Sequence, residues 1–403
     1  MTDPVTSLPN AIDHTALPEQ GGQRSVAVLG ATGSIGCNTL DIIAHHPDRF
    51  RIASLTANKN AEKLIEQARR FRPDYVAVVD AEAAAIVREA LSGLSIEVGE
   101  GPEALVEAAE RDSDIVVAGI VGAAGLPSTL AAARRGAIVA LANKEALVCA
   151  GPLMTDLVRA RKATLLPVDS EHNAIFQVFE NHNRDALQRI ILTASGGPFR
   201  TADLATMQAA TPAQAVAHPT WSMGAKISVD SATMMNKGLE IIEAHFLFDL
   251  PIEQIDVVIH PQSVIHSMVE YNDGSVLAQM GTPDMRTPIA HCLGWPNRVS
   301  KPGERLDFSA LNALTFEEPD HQRFPSLNMA RAAISTGGTA PTILNAANEI
   351  AVAAFLDSRI GFMQIPEIVE RTVAAASIEK LEALEQVFAA DHWARQHAGG
   401  LIG

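Results

Sequence analysis

Residues 25–36, SVAVLGATGSIG, join a short apolar run to three glycines spaced three positions apart. The first half is typical of a buried strand, and the residues that follow, to about position 46, have the apolar spacing of a helix. A glycine-rich turn between a strand and a helix lets backbone N–H groups approach a pyrophosphate, which the helix N-terminus also attracts. Because Gly30, Gly33 and Gly36 occupy such a turn, the stretch predicts a dinucleotide site. A tight turn without a ligand is the alternative.

Short apolar runs alternate with helical patterns through the first 168 residues. We predict further strands at 51–55, 75–79, 115–118, 137–141 and 164–168, and helices at 61–70, 82–91 and 128–135. Strands and helices in this alternation imply crossover connections and a parallel sheet. The predicted fold class is therefore α/β, with a Rossmann-like nucleotide-binding domain at residues 24–168.

The pattern changes in the middle of the chain. Strand-like runs occur at 190–192, 257–260, 263–271 and 275–280. Asn272-Asp273-Gly274 separates the last two runs and is a strong hairpin signal. Residues 169–300 are therefore predicted to form an α+β catalytic domain with a largely antiparallel sheet.

The two ends of the chain have other patterns. Residues 1–23 are polar and contain several prolines, and we predict a disordered leader there. Residues 301–322 are polar and predict a linker. Residues 323–403 are predicted to form a C-terminal helical bundle, from helical spacing at 326–335, 341–356, 365–376 and 378–390.

Composition limits the classes of partner. The 403-residue chain has a net charge of −16, which argues against nucleic acid, because that binding rests on Lys and Arg. No apolar run approaches the ~20 residues of a membrane span. Cys37, Cys149 and Cys292 lie far apart in the sequence, and we interpret them as reduced thiols. We expect a cytoplasmic protein with neither a membrane nor a nucleic-acid partner.

The residues after the second predicted strand bear on the choice of nucleotide. Domains that bind NAD usually carry an acidic residue there, which holds the ribose hydroxyls. Residues 54–60, SLTANKN, contain no carboxylate, and Lys59 has the charge to pair with a 2′-phosphate. The stretch favours NADP(H) over NAD(H), the alternative being that Lys59 is a solvated loop lysine.

Acidic residues in two segments suggest a site for a hard cation. Asp169 and Glu171 follow a predicted strand, where ligands gather in open α/β folds. Asn236, Lys237 and Glu240 fall on one face of a predicted helix. Three oxygen ligands of this kind suit Mg²⁺ or Mn²⁺ rather than zinc. Ordinary helix and loop carboxylates are the alternative, which we prefer for the nearby Glu243.

Two further segments indicate a phosphate pocket and a lid. Ser195 is followed by two glycines after a predicted strand, an arrangement that can bind an anion. Residues 218–224, HPTWSMG, are here called the lid. They place Trp221 between proline and glycine, where a mobile aromatic can cover a substrate and exclude water. A tryptophan that only anchors a loop to the core is the alternative.

Seven motifs in this order resemble the 1-deoxy-D-xylulose 5-phosphate reductoisomerase family, from about residue 24 to the C-terminus. They are GATGSIG (30–36), ALANKEALV (140–148), PVDSEHNAIFQ (167–177), TASGGPFR (193–200), HPTWSMG (218–224), KISVDSATMMNKGLE (226–240) and HPQSVIHSMV (260–269). Three positions depart from the pattern: Asn58 and Ala194 stand where glycine is usual, and Thr220 replaces a more usual asparagine.

The resemblance implies roles for individual residues. NADPH would be bound by Thr32, Gly33, Ser34, Ile35, Asn58, Lys59, Asn60, Asn143, Glu145 and Gly224. One divalent cation, Mg²⁺ or Mn²⁺, would be held by Asp169, Glu171 and Glu240, which with Lys144 form the catalytic set. The phosphorylated sugar would contact Lys144, Ser170, Glu171, Ser195, His218, Trp221, Met223, Ser231, Asn236, Lys237 and Glu240. The family also implies a homodimer and a structural role for His266.

The implied activity is the NADPH- and metal-dependent rearrangement and reduction of 1-deoxy-D-xylulose 5-phosphate to 2-C-methyl-D-erythritol 4-phosphate, in the non-mevalonate isoprenoid pathway. Two alternatives remain open at this point. One is a metal-independent NADP-dependent dehydrogenase of a small semialdehyde, which needs neither the Asp169–Glu171 pair nor Glu240. The other is a nucleotide-sensing protein without chemistry, although all three carboxylates and the lid motif are present.

We predict that the protein uses NADPH in preference to NADH, because residues 54–60 lack a carboxylate for the ribose hydroxyls and offer Lys59 to a 2′-phosphate. The Michaelis constants for the two cofactors, measured under the same conditions, test this. Equal catalytic efficiency with both would contradict the assignment of Lys59.

Overall fold

The first sheet, sheet A, is the frame for the dinucleotide turn. It is seen in a computed structural model of the protein, which describes residues 22–221 and 223–403. Its seven strands are β1 (Arg24–Leu29), β2 (Phe50–Ala57), β3 (Tyr75–Val78), β4 (Glu97–Glu100), β5 (Ile115–Ala118), β6 (Ile138–Leu141) and β7 (Thr164–Pro167). They are all parallel, in the order β4-β3-β2-β1-β5-β6-β7. The predicted parallel sheet is confirmed.

Strand β1 lies at the centre of the sheet, where the strand order reverses. The chain leaves β1 through β2, β3 and β4 on one side, and then crosses to β5 on the other side. Gly30 ends β1 with φ of +81°, and a Cβ there would lie 2.8 Å from the carbonyl oxygen of Gly119, which follows β5. Only glycine allows the two strand ends to approach this closely. The reversal opens a crevice at the carboxyl ends of the strands.

Six helices follow the strands of sheet A. They are α1 (Ser34–His45), α2 (Ala61–Phe71), α3 (Ala81–Ala90), α4 (Pro102–Glu110), α5 (Leu126–Arg134) and α6 (Lys144–Arg161). The side chain of Asn60 caps α2 by accepting a hydrogen bond from the backbone N–H of Lys63 at 3.1 Å. Strand β4 and helices α4 and α6 were not predicted. Strand β4 is an edge strand with exposed glutamates at both ends, so it lacks the apolar run of an interior strand.

Helix α6 is kinked near its middle. Ala150 has non-helical backbone angles, φ −130° and ψ 26°, and Pro152 lies within the helix. Proline removes one backbone donor and crowds the preceding turn, which accounts for the kink. The hydroxyl of Thr342 donates to the carbonyl of Cys149 at 2.9 Å, so a backbone acceptor beside the kink has a partner.

The second sheet, sheet B, is mixed rather than largely antiparallel as predicted. Its strands are β8 (Leu187–Ala194), β9 (Ile255–Ile259), β10 (Ile265–Tyr271) and β11 (Val276–Met280), in the order β11-β10-β8-β9. The β11–β10 and β10–β8 pairs are antiparallel, and the hairpin at Asn272-Asp273-Gly274 is confirmed. The β8–β9 pair is parallel. A long helical excursion separates β8 from β9, and this allows β9 to return in the same direction as β8.

The remaining helices lie after β7 in the chain. They are α7 (Ser170–Val178), α8 (Leu204–Gln208), α9 (Pro212–Val216), α10 (Ala225–Ala232), α11 (Met235–Phe248), α12 (Arg286–Gly294), α13 (Ser326–Thr336), α14 (Ala340–Leu356), α15 (Gln364–Ala375) and α16 (Leu384–Ile402). The helix predicted at 378–390 is wrong in both bounds. Residues before Leu384 are held extended, because the backbones of Thr339 and Glu379 are hydrogen-bonded at 2.9 Å.

The segment predicted as a linker, residues 301–322, packs against sheet B. Glu317 forms a two-way backbone bridge with Ile259, with N–H to O distances of 3.0 and 2.9 Å. A short 3-10 helix at Phe308–Ala310 precedes it. The division into domains at residues 168, 300 and 322 stays a prediction.

Two further expectations concern the ends of the chain and the membrane. Residues 1–21 of the predicted leader lie outside the described residues. Within residues 22–221 and 223–403, no helix is both long enough and apolar enough to cross a membrane.

The centre of sheet A should dominate stability. Leu55 on β2 is fully buried, so Leu55→Ala should lower the free energy of unfolding by about 2–5 kcal/mol through lost burial and a residual cavity. Ile86→Ala is the control, because that side chain is 50% exposed. Thermal melts of both variants test this, and equal melting temperatures would contradict it.

Candidate active site

A cavity of about 500 Å³ opens where the strand order of sheet A reverses, and it extends to α10 and α11. Most of the residues predicted from the sequence line it. They are Gly33, Ser34, Ile35, Lys144, Glu145, Asp169, Ser170, Glu171, Ser195, His218, Trp221, Met223, Gly224, Ser231, Asn236 and Lys237. Residues predicted to bind nucleotide, cation and sugar phosphate are therefore brought together around one space.

Three carboxylates and two ammonium groups form the centre of this site. Asp169 is the N-cap residue of α7 but makes no capping hydrogen bond, so its carboxylate is free to face Glu171 and Glu240. One oxygen from each of the three carboxylates lies within 4.8 Å of the other two. Lys237 Nζ lies 2.8 Å from Glu171 and also contacts Glu240. Lys144 Nζ lies 3.3 Å from Glu240 and also contacts Asp169.

The charges in this cluster are strongly coupled. Burial raises the pKa of Glu240, and the neighbouring Glu171 raises it further, to about 7 despite the two lysines. Burial alone would lower the pKa of Lys144, but Asp169 and Glu240 raise it well above its ordinary value. Asp169 has a pKa well below its usual range, because Lys144 outweighs the effect of burial. The ammonium groups thus keep Asp169 charged but do not offset the burial of Glu240.

The donor set fits a hard divalent cation. All three groups are carboxylates, the ligand type that Mg²⁺ and Mn²⁺ prefer. The raised pKa of Glu240 shows that one carboxylate still lacks compensating positive charge. A cation among the three oxygens would supply that charge.

A buried ion pair that was not predicted from the sequence lies next to the carboxylate cluster. His172 is fully buried, with Nδ1 3.1 Å from Glu243 Oε2 and Nε2 2.9 Å from the carbonyl oxygen of Glu240. Both ring nitrogens face acceptors, which favours the protonated ring. Glu243 raises its pKa to about 9 against the opposing effect of burial. Glu243 is thus buried and paired. The sequence signal for this pair is its spacing from the predicted ligands. His172 follows Asp169 by three residues, and Glu243 follows Glu240 by three residues.

The predicted phosphate residues meet at one end of the cavity. Gly197 lies close to α10, where an added Cβ would stand 2.8 Å from the carbonyl oxygen of Ser231. The absence of a side chain lets the loop after β8 bring Ser195 close to Ser231. Asn236 donates to Glu240 Oε1 at 2.6 Å and accepts from Lys144 at 3.0 Å, so it joins this end of the cavity to the carboxylate cluster.

His218 connects Ser195 to the lid. Its Nδ1 accepts hydrogen bonds from the backbone N–H groups of Thr220 and Trp221, at 3.1 and 2.9 Å. The proton of a neutral ring must therefore lie on Nε2, which donates to Ser195 Oγ at 2.8 Å. The ring of Trp221 lies 6.1 Å from that of His266, centroid to centroid. His266, expected to be structural, also lines the cavity.

The predicted nucleotide residues divide into two groups. Gly33 and Ser34 are exposed in the turn after β1, at the mouth of the cavity. Asn58, Lys59 and Asn60 are exposed after the neighbouring strand β2, at the same edge of sheet A but outside the cavity lining.

Two of the predicted nucleotide-binding side chains, those of Asn143 and Asn60, already form hydrogen bonds within the fold. Asn143 is buried, and its side chain donates to the carbonyl of Gly122 at 3.0 Å. The side-chain oxygen of Asn60 is already used to cap α2. Thr32 lies in the turn between Gly30 and Gly33 and does not line the cavity.

Comparison with known proteins places this arrangement. Family models match at residues 26–151 (1-deoxy-D-xylulose 5-phosphate reductoisomerase), 165–248 (1-deoxy-D-xylulose 5-phosphate reductoisomerase C-terminal domain) and 280–397 (DXP reductoisomerase C-terminal domain). The 1-deoxy-D-xylulose 5-phosphate reductoisomerase of Rhodospirillum centenum is 60% identical over 381 residues, 94% of this chain and 95% of the relative. The chain belongs to the 1-deoxy-D-xylulose 5-phosphate reductoisomerase family. The reductoisomerase of Zymomonas mobilis is 57% identical over 379 residues, 94% of this chain and 98% of its own.

Solved reductoisomerases share the fold over nearly the whole chain. One from Zymomonas mobilis, in complex with NADPH, has a TM-score of 0.90 at 55% identity and covers 94% of this chain and 99% of its own. Another, in complex with NADPH, fosmidomycin and magnesium, has a TM-score of 0.89 at 45% identity, with coverage of 94% and 98%.

The departures from the reductoisomerase pattern are accommodated locally. Ala194 is buried at the end of β8, and its carbonyl accepts from the backbone N–H of His260 at 2.7 Å. Thr220 contributes its backbone N–H to His218, a role that does not depend on its side chain. Asn58 is exposed directly after β2.

Lid closure should weaken in acid. Burial lowers the pKa of His218, so an arrangement of the lid that exposes the ring binds the proton more readily. Closure is therefore complete above the ordinary histidine pKa of about 6.5 and is lost as the pH falls below it. Trp221 fluorescence, obtained by subtracting the signal of a Trp221→Phe variant, measures this transition. His218→Phe should abolish it, and an unchanged transition in that variant would assign it to another group.

Proposed function

We propose that the chain converts 1-deoxy-D-xylulose 5-phosphate into 2-C-methyl-D-erythritol 4-phosphate, using NADPH and Mg²⁺ or Mn²⁺. The observation that carries this is the cluster of Asp169, Glu171 and Glu240 with two lysines. Glu240 is fully buried, and the other four residues line the same cavity as the glycine-rich turn. A site for a hard cation beside a dinucleotide turn fits a reaction that combines rearrangement of a carbon skeleton with reduction. Family membership and the solved reductoisomerases with NADPH and magnesium support it.

NADPH is assigned to the edge of sheet A. The exposed turn at Thr32, Gly33, Ser34 and Ile35 receives the pyrophosphate at the N-terminus of α1. Asn58, Lys59 and Asn60 lie beside it after β2, and Lys59 is the cation for the 2′-phosphate. Further contacts come from the opposite side, from Asn143, Glu145 and Gly224. The cofactor supplies the hydride.

Asp169, Glu171 and Glu240 are assigned as ligands of the divalent cation. A cation held by these residues would supply Lewis acidity for the ketone of the substrate. Lys144 and Lys237 hold the three carboxylates in one charged cluster, and Lys144 also faces the substrate beside Ser170.

The sugar phosphate is assigned to the other end of the cavity. Ser195, Ser231, Asn236 and Lys237 bind the phosphate, whose binding energy helps to close the lid. Closure then places His218, Trp221 and Met223 over the sugar and excludes water from the reacting carbons.

We also propose a cytoplasmic homodimer with the domain division predicted above. The dimer uses residues 169–300, where edge strand β11 exposes Val276 and Leu277 (48% and 41%). An edge strand with exposed apolar side chains favours pairing with another chain. Cys37, Cys149 and Cys292 are free thiols, as expected in a reducing compartment.

The alternative, a metal-independent semialdehyde dehydrogenase, does not explain the carboxylate cluster. Such an enzyme needs the glycine-rich turn but has no use for three carboxylates held within 4.8 Å of one another. A binding protein without chemistry is disfavoured for the same reason.

Oxidation of NADPH should require both the sugar phosphate and the cation. The assay follows loss of NADPH absorbance with 1-deoxy-D-xylulose 5-phosphate and Mg²⁺ or Mn²⁺, and again with EDTA. Asp169→Asn and Glu240→Gln should lower turnover by more than roughly 100-fold, because even groups behind a metal ligand cost 10–100-fold. Lys237→Ala should mainly raise the Michaelis constant for the substrate.

The matched control is Glu382→Gln, since that carboxylate is exposed and pairs only with Lys380 among its described contacts. NADPH affinity should survive in Asp169→Asn. Activity that persists in EDTA would favour the dehydrogenase. If folded protein showed no activity with any of these additions, the proposed function would fail.

A further inference from the structure

A bridge beside the cofactor cleft joins Glu145 to Lys226 and Asp230, which have no role assigned above. Lys226 lies at the start of α10, directly after the lid, and its Nζ lies 2.8 Å from Asp230 Oδ2 one turn further on. The same Nζ lies 3.3 Å from Glu145 Oε1, in the first turn of α6. Both carboxylates are buried, with 1% and 7% of Asp230 and Glu145 exposed. The ammonium therefore joins α6 to α10, and all three residues of the bridge line the cavity.

The bridge continues into the C-terminal helices. Asn348 on α14 is fully buried and donates to Asp230 Oδ1 at 2.7 Å. Each oxygen of Asp230 thus has one partner, Lys226 from its own helix and Asn348 from α14. Asn348 does not line the cavity, so it has no direct contact with a ligand there.

The opposite charges of Lys226 and of the two carboxylates stabilise the bridge. Burial alone would lower the pKa of Lys226, but Asp230 and Glu145 raise it above its ordinary value. Burial alone would raise the pKa of Glu145, and Lys226 lowers it instead. Without the ammonium, two buried carboxylates would face each other uncompensated, and α6 and α10 would be driven apart.

The bridge lies between α6 and α10, beside the cofactor cleft. One wall of the cavity carries Ser34 and Gly119 at the strand reversal of sheet A, and α10 forms part of the other wall. The first turn of α6 places Lys144 in the carboxylate cluster and Glu145 in the bridge. The bridge therefore ties the first turn of α6 to α10 beside the cofactor cleft.

We propose that Lys226 is a positioning residue for NADPH: by joining Glu145 to Asp230, and through Asp230 to Asn348, it holds the cofactor cleft at its binding width. The proposal rests on the proposed function for the identity of the cofactor. Lys226 acts through Glu145 and α10, and the C-terminal helices support the cofactor cleft through Asn348 without touching the cofactor.

The experiment measures the dissociation constant for NADPH by fluorescence titration, without substrate or divalent cation. Lys226→Met and Asn348→Leu should each raise it, by roughly 10-fold, the size of a typical coupling between two sites. Lys226→Arg should restore most of the affinity. Lys380→Met is the matched control, because Lys380 forms an exposed pair with Glu382, and it should leave the constant unchanged.

The outcomes separate this inference from the function. If Lys226→Met alone weakened NADPH binding, Lys226 would act by direct contact and the positioning role would be overturned. Unchanged binding in both variants would also overturn it. A melting temperature lowered without a change in NADPH affinity would mark the bridge as purely structural. If the unaltered protein bound no NADPH, the proposed cofactor itself would fail. In steady-state assays, the Michaelis constant for NADPH should rise much more than turnover at saturating NADPH falls.

Discussion

The site depends on the balance of charge among three buried carboxylates and two buried ammonium groups. Lys144 and Lys237 come from different helices, α6 and α11, and each contacts two carboxylates. Without them, Asp169, Glu171 and Glu240 would repel one another in a poorly solvated space. The elements that carry these five residues are therefore held together by the charges that the chemistry needs, with the His172–Glu243 pair behind them.

Much of the fold follows from the sequence because interior strands of a parallel sheet are apolar on both faces. Strand β1 is an example, with Val26, Ala27 and Val28 completely buried. Strand β4 escaped prediction because an edge strand tolerates glutamates. The direction of β9 depends on the path of the helices between Ala194 and Ile255, and no local pattern encodes that path. The segment before α16 is hydrogen-bonded through Glu379 to Thr339, 40 positions earlier in the chain.

The site was predictable to the extent that its chemistry is local. Asp169 and Glu171 lie two residues apart, and Asn236, Lys237 and Glu240 share a helix face, so spacing alone grouped each set. Their meeting across the cavity is a tertiary fact, as is the pairing of Lys226 with Glu145, 81 positions earlier in the chain. The sequence also does not reveal which side chains already form hydrogen bonds within the fold, as Asn60 does when it caps α2. A helix cap and a ligand contact use the same residue types.

The kink at Ala150 has a mechanical consequence for the helix that carries Lys144 and Glu145. A straight helix transmits the orientation of its body to its first turns as a rigid rod would. In α6 the non-helical residue and Pro152 interrupt the hydrogen bonds that give such stiffness. The short segment before the kink is thus joined less stiffly to the rest of α6, and it carries Lys144 and Glu145 in its first turn.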